Sequence, residues 1–375
     1  MSVTLVVTAT LLTACTARPT ADSAATPATG GVTAPPPKAT SPAAGPSAEP
    51  GGNRRLMRAP LAYDAQRKTV VAFSVQAEGG GPDATLWEWT GSAWSPHSVA
   101  AVPARSSALL AADPSTHGVL LFGTSVTPPP PSSPPCTPTG PTSQPTPCLS
   151  YGVRHATLPD AWILTGTSWR SVDTTGAPQL GLLAATVPAG VAVIGVTLAD
   201  RPSPSGTWTY DGKRWSKLAD APDAPDGAAT IAYDPLSQRL IAYDGGVEDL
   251  APPGSLRPDF PAYTRSWALT GHQWTELHLR DQPTPARGTL VGSAGGRSVL
   301  LINELGETWT LGTTGWRRLA MVKDIQMPTA RPNTVSIAAA SNPVTGDVVA
   351  VLSGPDIADE TWTLHEHRWT RHDAP

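Results

Sequence analysis

Twelve of the thirteen tryptophans in this chain form six copies of one spacing, in which a second tryptophan follows the first seven positions later. The pairs are Trp87 and Trp94, Trp162 and Trp169, Trp208 and Trp215, Trp267 and Trp274, Trp309 and Trp316, and Trp362 and Trp369. A spacing that recurs along a chain indicates copies of one supersecondary unit that stack on their neighbours. This repeat constrains the fold more than any other feature of the sequence.

Each tryptophan pair flanks a short turn. In the third copy the turn contains Asp211-Gly212 between strand-forming residues, which is typical of a two-residue hairpin loop. With these two residues as the loop, Trp208 is predicted to lie directly opposite Trp215, where a cross-strand aromatic pair adds about 0.2–1 kcal/mol over an alanine pair. We interpret the tryptophans as structural; the alternative is a ladder of exposed, sugar-binding rings.

Two more strands are predicted before each of these hairpins. The later one is a short apolar run typical of a strand that is buried on both faces: Val70–Phe73, Val119–Phe122, Val191–Ile194, Leu240–Tyr243, Val299–Ile302 and Val348–Val351. The earlier one carries small residues that suit a crowded innermost position: Ala62, Ala111-Ala112, Ala184-Ala185, Ala232, Gly292 and Ala338–Ala340. Asp113-Pro114, Asp234-Pro235 and Asn342-Pro343 predict tight turns between the two.

The sequence therefore predicts an all-β fold of six units with four strands each. No segment shows a sustained period of 3.6 apolar residues, so we expect almost no helix. Four-stranded sheets repeated around an axis form a β-propeller, in which each sheet is one blade. We expect blades one and six to close the ring by packing sheet on sheet, because no spare strand is evident unless Asn53–Arg58 supplies one.

The fourth unit resembles the kelch repeat. It contains Ala232–Pro235, then Leu240 to the double glycine Gly245-Gly246, then Ser266–Gly271 and Trp274–Leu277. The resemblance extends over residues 56–375, although the double glycine decays to a single glycine, as in Phe122-Gly123, in other units. It implies a kelch-like propeller and says little about function.

The N-terminal region predicts export and anchoring. Residues 1–15 resemble a bacterial lipoprotein signal peptide that ends in the lipobox Leu12-Thr13-Ala14-Cys15, and their apolar stretch is too short to span a bilayer. We expect lipidation of Cys15; a plainly secreted protein is the alternative. Residues 16–55 are mostly Thr, Ala, Pro, Ser and Gly, which predicts a disordered tether. Residues 56–375 are then the propeller.

The three cysteines fit the same location, the extracytoplasmic face of a bacterial cell membrane. With Cys15 lipidated, Cys136 and Cys148 remain for a disulfide, which is the default in an oxidising compartment. In the chain-entropy model this bond contributes about 3 kcal/mol. The net charge of −4, without a basic stripe, argues against nucleic acid as a partner. We expect a monomer without a cofactor.

The long connections are predicted to lie on one face of the ring. They join second to third strands (76–84, 124–159, 197–206 and 247–265) or one blade to the next (219–227, 279–288 and 321–333). Long loops on a rigid scaffold are where binding residues concentrate. Candidate binding residues on this face are Asp200, Asp223, Asp226, Asp244, Glu248, Glu304 and Asp359.

No catalytic motif is recognisable in the sequence. His365, His367 and His372 lie near the C-terminus, where exposed turn residues explain them better than a metal site. These observations favour a membrane-anchored binding or scaffold propeller that presents its loop-rich face to an envelope protein or a glycan. The alternatives are a carbohydrate-active hydrolase or lyase, with paired carboxylates at the mouth of the propeller, and a purely structural envelope component.

Overall fold

The computed structural model contains only β-strands, turns and loops in the part that it describes. The described residues are 56, 58–77, 82–97, 108–124, 159–197, 206–219, 225, 228–247, 262–292, 298–321, 324–327, 335–354 and 357–372. Within them, no helix is long and apolar enough to cross a bilayer. Cys15, Cys136 and Cys148, and with them the predicted anchor and disulfide, lie outside these residues.

Twenty-four strands form six sheets of four. Blades 1 and 2 contain β1 Leu61–Asp64, β2 Thr69–Ala77, β3 Pro82–Trp89, β4 Trp94–His97, β5 Leu109–Asp113, β6 Gly118–Thr124, β7 Pro159–Thr165 and β8 Ser168–Val172. Blades 3 and 4 contain β9 Leu180–Val187, β10 Gly190–Val196, β11 Gly206–Tyr210, β12 Trp215–Ala219, β13 Thr230–Asp234, β14 Arg239–Val247, β15 Ala262–Thr270 and β16 Gln273–Glu276. Blades 5 and 6 contain β17 Gly288–Val291, β18 Leu300–Asn303, β19 Thr308–Leu311, β20 Trp316–Arg318, β21 Ser336–Ser341, β22 Val348–Gly354, β23 Ile357–His365 and β24 Arg368–His372.

The sheets form a six-bladed β-propeller, as the repeat predicts. In every blade the strands pair in chain order and all pairs are antiparallel. The first strands of all six blades line a central channel of about 270 Å³, and their small residues, such as Ala111 and Ala185, face it. One end of each blade carries the turns after the first and third strands, and we call it the turn edge. The opposite end, where the second strand ends and the third begins, we call the connection edge.

The apolar core is divided into six clusters, one between each pair of neighbouring blades. The second strand of each blade is buried on both faces, as predicted, so successive side chains contact opposite neighbours. Val70 and Ala72 pack against blade 6, whereas Val71 and Phe73 pack against blade 2. Stability therefore comes from a ring of interfaces.

The tryptophan pairs lie on the outer hairpins, but their predicted register is wrong. Trp215 lies opposite Tyr210, and Trp208 lies opposite Lys217, so the two indoles are diagonal neighbours. The loop is centred one residue later than predicted: Gly212 takes a positive φ of 86°, and the Asp211 carboxylate accepts the backbone N–H groups of Lys213 and Arg214. Asp211 thus occupies the first position of the turn, where its side chain caps it.

The second tryptophan of each pair joins its blade to the preceding one. Four of these indoles donate a hydrogen bond to the hydroxyl of the residue that stands immediately before the first tryptophan of the preceding blade. The bonds are Trp94 to Thr361 (2.9 Å), Trp274 to Thr207 (2.8 Å), Trp316 to Ser266 (3.0 Å) and Trp369 to Thr308 (2.9 Å). In the other two blades the corresponding residue lacks a hydroxyl, and the buried indole nitrogens of Trp169 and Trp215 have no hydrogen-bond partner in the described residues.

Blades 1 and 6 close the ring through the same kind of sheet-on-sheet packing that joins the other neighbouring blades. Trp94 of blade 1 packs with Val349 and Val351 of blade 6, and no described strand is shared between the two sheets. The described residues just before β1 form a turn, with Ala59 N–H donating to the Leu56 carbonyl (2.9 Å), whereas residues 53–55 and 57 lie outside the described part of the chain. Leu56 itself is buried in this interface. Sheet-on-sheet packing thus accounts for closure within the described residues.

Replacing Thr207 by valine tests the indole bond. Thr207→Val keeps the shape of a buried side chain but leaves the Trp274 N–H without an acceptor, which should reduce the free energy of unfolding by about 1–3 kcal/mol. Chemical denaturation measures the loss. Thr209→Val, in the same strand β11 but only half-buried, is the control and should change stability by less than about 0.5 kcal/mol. Equal losses in both variants would contradict this role of the hydroxyl.

Candidate binding site

Three of the seven acidic candidates fall in the described residues, and all three lie at the connection edge. Asp244 is near the end of β14, Glu304 follows the end of β18, and Asp359 is near the start of β23. Asp200, Asp223, Asp226 and Glu248 lie outside the described residues. The connection 76–84 is shorter than expected, because β2 continues to Ala77 and β3 begins at Pro82.

Asp359 is held by the chain segment that precedes the propeller. Its Oδ2 atom accepts the backbone N–H of Leu56 at 2.7 Å, and the residue is buried. Nearby, the Arg58 N–H donates to the hydroxyl of Ser353 at 3.1 Å. These contacts attach the segment to blade 6, so a structural role at ring closure explains this carboxylate.

Asp244 is buried beside a tyrosine and an arginine of the neighbouring strand, Tyr263 and Arg265. It lies opposite Arg265 in the β14–β15 pair, with its Oδ2 atom 3.5 Å from an Arg265 guanidinium nitrogen. Burial raises the pKa of Asp244, and hydrogen bonds from Tyr263 and Arg265 oppose the rise only in part. The arginine is about half exposed, so solvent screens its attraction for the carboxylate.

Arg265 is held in place by aromatic rings as well as by this carboxylate. Its guanidinium carbon lies 4.9 Å from the centre of the Tyr263 ring and 5.6 Å from that of Trp267. Both distances are within the range of cation–π attraction. A guanidinium fixed in this way retains donor groups that face solvent and loses little entropy when it binds a ligand.

Glu304 stands across the interface, on blade 5. Its Oε1 atom accepts the backbone N–H of Arg287 at 3.2 Å, its backbone N–H donates to the Arg287 carbonyl at 2.8 Å, and its Oε2 atom is buried without a partner in the described residues. Asp244 and Glu304 both raise the pKa of the Tyr243 phenol, after the larger effect of burial. The two carboxylates therefore flank one buried phenol between blades 4 and 5.

The double glycine of blade 4 permits this close approach. A side chain at Gly245 would meet the Tyr243 oxygen at 2.3 Å and the Ala286 carbonyl oxygen at 2.7 Å. The Tyr243 hydroxyl donates to that same carbonyl at 3.0 Å, so the blades touch here. Gly246 adopts a φ of 152°, which a side chain would strain.

We call Asp244, Tyr263, Arg265, Arg287 and Glu304 the blade 4–5 cluster. The prediction from sequence includes its two acids but not its two arginines and its tyrosine, because that prediction rests on carboxylates as ligands. The motif that could have identified them is the Tyr-x-Arg-x-Trp pattern of Tyr263, Arg265 and Trp267, which places three side chains on one face of a strand.

The three C-terminal histidines are not brought together. His365 hydrogen-bonds Asp347 (2.6 Å), which raises the pKa of this imidazole, and His372 hydrogen-bonds Thr363 (2.8 Å). His367 lies in the exposed β23–β24 turn with a positive φ of 64°. No group of three or more His, Cys, Asp or Glu residues in the described part of the chain is arranged to hold a metal ion.

The chain is similar to several solved structures. AofleA from Arthrobotrys oligospora matches with a TM-score of 0.49 and 12% identity over 85% of this chain and 86% of that one. SapL1 lectin, in complex with alpha methyl fucoside, matches with 0.49 and 12% over 84% and 95%. The six-bladed fucose-binding lectin of Aleuria aurantia matches with 0.48 and 11% over 86% and 97%. Such likeness concerns architecture alone. No protein-family model matches the chain, and neither does any curated protein.

The raised pKa of Asp244 predicts a specific pH dependence. Because the folded state holds this proton more tightly than the unfolded state, the associated stability is present at low pH and is lost as the pH rises through the folded-state pKa. The Tm of Asp244→Asn relative to wild type should therefore increase between about pH 4 and about pH 7.

Asp211→Asn is the matched control, measured by thermal unfolding at the same pH values. Hydrogen bonds from Arg214 and Lys213 lower the pKa of this exposed carboxyl, so its stability contribution is lost as the pH falls. The relative Tm of Asp211→Asn should decrease as the pH rises. Parallel trends in the two variants would rule out burial as the cause at Asp244.

Proposed function

We propose that this chain is an extracytoplasmic, membrane-anchored binding propeller whose ligand docks at the connection edge through the blade 4–5 cluster. The observation that carries the proposal is the pair of exposed guanidinium groups, Arg265 and Arg287, beside the buried carboxyl of Asp244. Guanidinium groups form paired hydrogen bonds with carboxylates and other planar oxygen groups. The ligand class that fits is a glycan with acidic groups. An acidic envelope protein is the alternative ligand, and the experiment below distinguishes the two.

The arrangement supports binding better than catalysis. A retaining or inverting glycosidase needs two carboxyl groups that can act on the substrate. Here Asp244 faces Arg265 and Tyr263, while Glu304 accepts the backbone N–H of Arg287. The raised pKa of Asp244 is the one observation in favour of a carbohydrate-active enzyme, since general acids are often tuned in this way. Burial accounts for the raised pKa, and the ion pair with Arg265 gives the carboxyl a structural role without a reaction.

Anchoring belongs to the same proposal. The lipobox at Cys15 and the tether of residues 16–55 hold the propeller outside the membrane, and Cys136–Cys148 forms a disulfide in that compartment. The kelch-like classification and the monomeric state rest likewise on the sequence. A tether of about 40 residues lets the ring move away from the bilayer and meet envelope ligands.

The proposed ligand contact is tested by a double substitution, Arg265→Ala with Arg287→Ala. Binding of the purified chain to an array of neutral and acidic oligosaccharides, including alpha methyl fucoside, should reveal acidic glycans whose Kd rises at least tenfold in the variant, as the loss of charged hydrogen bonds predicts. Arg214→Ala, at the turn edge and more exposed than Arg265, is the control. If no acidic glycan on the array binds but crosslinking captures an envelope protein, the ligand is a protein. Neutral glycans bound equally by wild type and variant would refute the role of the arginines.

The anchor is tested separately by Cys15→Ser in a bacterial host that processes lipoproteins. The wild-type chain should partition into the detergent phase and label with a fatty-acid analogue, whereas the variant should lose the label, because a diacylated cysteine supplies the membrane affinity. A wild-type chain that is secreted without label would establish the alternative of a plain secreted protein and would leave the binding site unaffected.

A further inference from the structure

A second cavity lies between blades 5 and 6, away from the blade 4–5 cluster. Its volume is about 580 Å³, within the usual range for sites that bind small molecules. Its wall is mainly apolar, and its rim at the turn edge is polar. The residues that line it include Leu300, Leu319, Leu364, Ser298 and Arg317.

The interface between blades 2 and 3 shows what can fill this position. There the ring of Tyr210 is fully buried against Phe122 and Ile163 of blade 2. The Arg170 side chain hydrogen-bonds the Tyr210 phenol. An aromatic ring with an oxygen that faces an arginine thus completes the packing of those two blades.

The same positions in blades 5 and 6 hold an arginine but no aromatic ring. Tyr210 and Leu364 are equivalent, since each lies opposite the second tryptophan of its blade. Arg170 and Arg317 are equivalent as well, because each follows the second tryptophan of its own blade. Leucine is smaller than tyrosine and carries no oxygen, so Arg317 meets an apolar side chain where Arg170 meets a phenol.

Two polar groups at the cavity lack partners in the described residues. Arg317 makes no ion pair there, whereas its neighbour Arg318 pairs with Glu307 (3.4 Å) and Asp324 (3.2 Å). The hydroxyl of Ser298, in a residue that is only 5% exposed, is buried at the cavity wall without a hydrogen-bond partner. A buried polar group that is left unsatisfied is costly, and a ligand that bonds it recovers that cost.

We propose that the cavity between blades 5 and 6 binds a small aromatic molecule that carries a hydroxyl or carboxylate oxygen. The ring packs between Leu300 and Leu364, in the place that the Tyr210 ring occupies in blade 3. The oxygen accepts hydrogen bonds from the Arg317 guanidinium, as the Tyr210 phenol does from Arg170. The exposed residues His365 and Glu366 at the rim leave the cavity open to solvent.

The experiment uses the full chain with 2-naphthoate and 2-naphthol as probes, followed by calorimetry and ligand-observed NMR. The two probes distinguish a carboxylate from a hydroxyl. Arg317→Ala should weaken the preferred probe at least fivefold, whereas Arg318→Ala, on the opposite face of β20, should leave its Kd within twofold. Leu364→Tyr should abolish binding, because the new ring fills the cavity, and should raise the Tm by restoring the tyrosine–arginine arrangement.

Each outcome decides the proposal. Failure of the wild-type chain to bind either probe saturably in the millimolar range would overturn it, as would equal binding by Leu364→Tyr or equal losses in the two arginine variants. Retained near-ultraviolet circular dichroism in every variant shows that the ring is intact. Because the blade 4–5 cluster is unchanged in all of them, the result is independent of the proposed glycan site.

Discussion

The structure depends on one repeated interaction, the insertion of an outer-strand indole into the preceding blade. Each second tryptophan packs its ring into an interblade cluster, where all but the partly buried Trp169 are buried, and in four blades its N–H donates to a threonine or serine hydroxyl of the preceding blade. An indole supplies both a large apolar surface and one directional donor, so the contact fixes the spacing and the register of two sheets together. The bond from Trp94 to Thr361 closes the ring with the same contact that builds it.

The exceptions show how a repeat can diverge. Leu86 and Ala161 stand where the other blades place the accepting hydroxyl, so the buried indole nitrogens of Trp169 and Trp215 have no partner in the described residues. Both interfaces involve blade 2. A buried donor without a partner costs about 1–3 kcal/mol, and apolar packing around Leu86 and Phe122 has to offset it. Redundant interfaces allow a ring to tolerate such losses.

The same redundancy frees individual blades to carry chemistry. In blade 4 the double glycine lets Tyr243 reach the backbone of blade 5, and the strand beside it presents Arg265 on two aromatic rings. In blade 6 the position that Tyr210 fills in blade 3 is a leucine, as it is in blades 2, 4 and 5, but here Arg317 of the preceding blade lines a cavity beside it. Both features arise from local departures within the repeat, at interfaces whose tryptophan contacts are intact.

Sequence spacing by itself determined the strand order, the six blades and the buried second strands, because periodic apolar and aromatic positions leave few ways to bury them. It also placed Asp244, Glu304 and Asp359 at one edge. Spacing predicted the wrong hairpin register. Asp211 stands at the first position of the turn, not in its centre, because its carboxylate accepts backbone hydrogen bonds that spacing does not encode. Only the tertiary structure decided that Asp359 binds the Leu56 backbone and that Asp244 faces Arg265, because contacts between strands and between blades depend on which side chains the folded ring brings together.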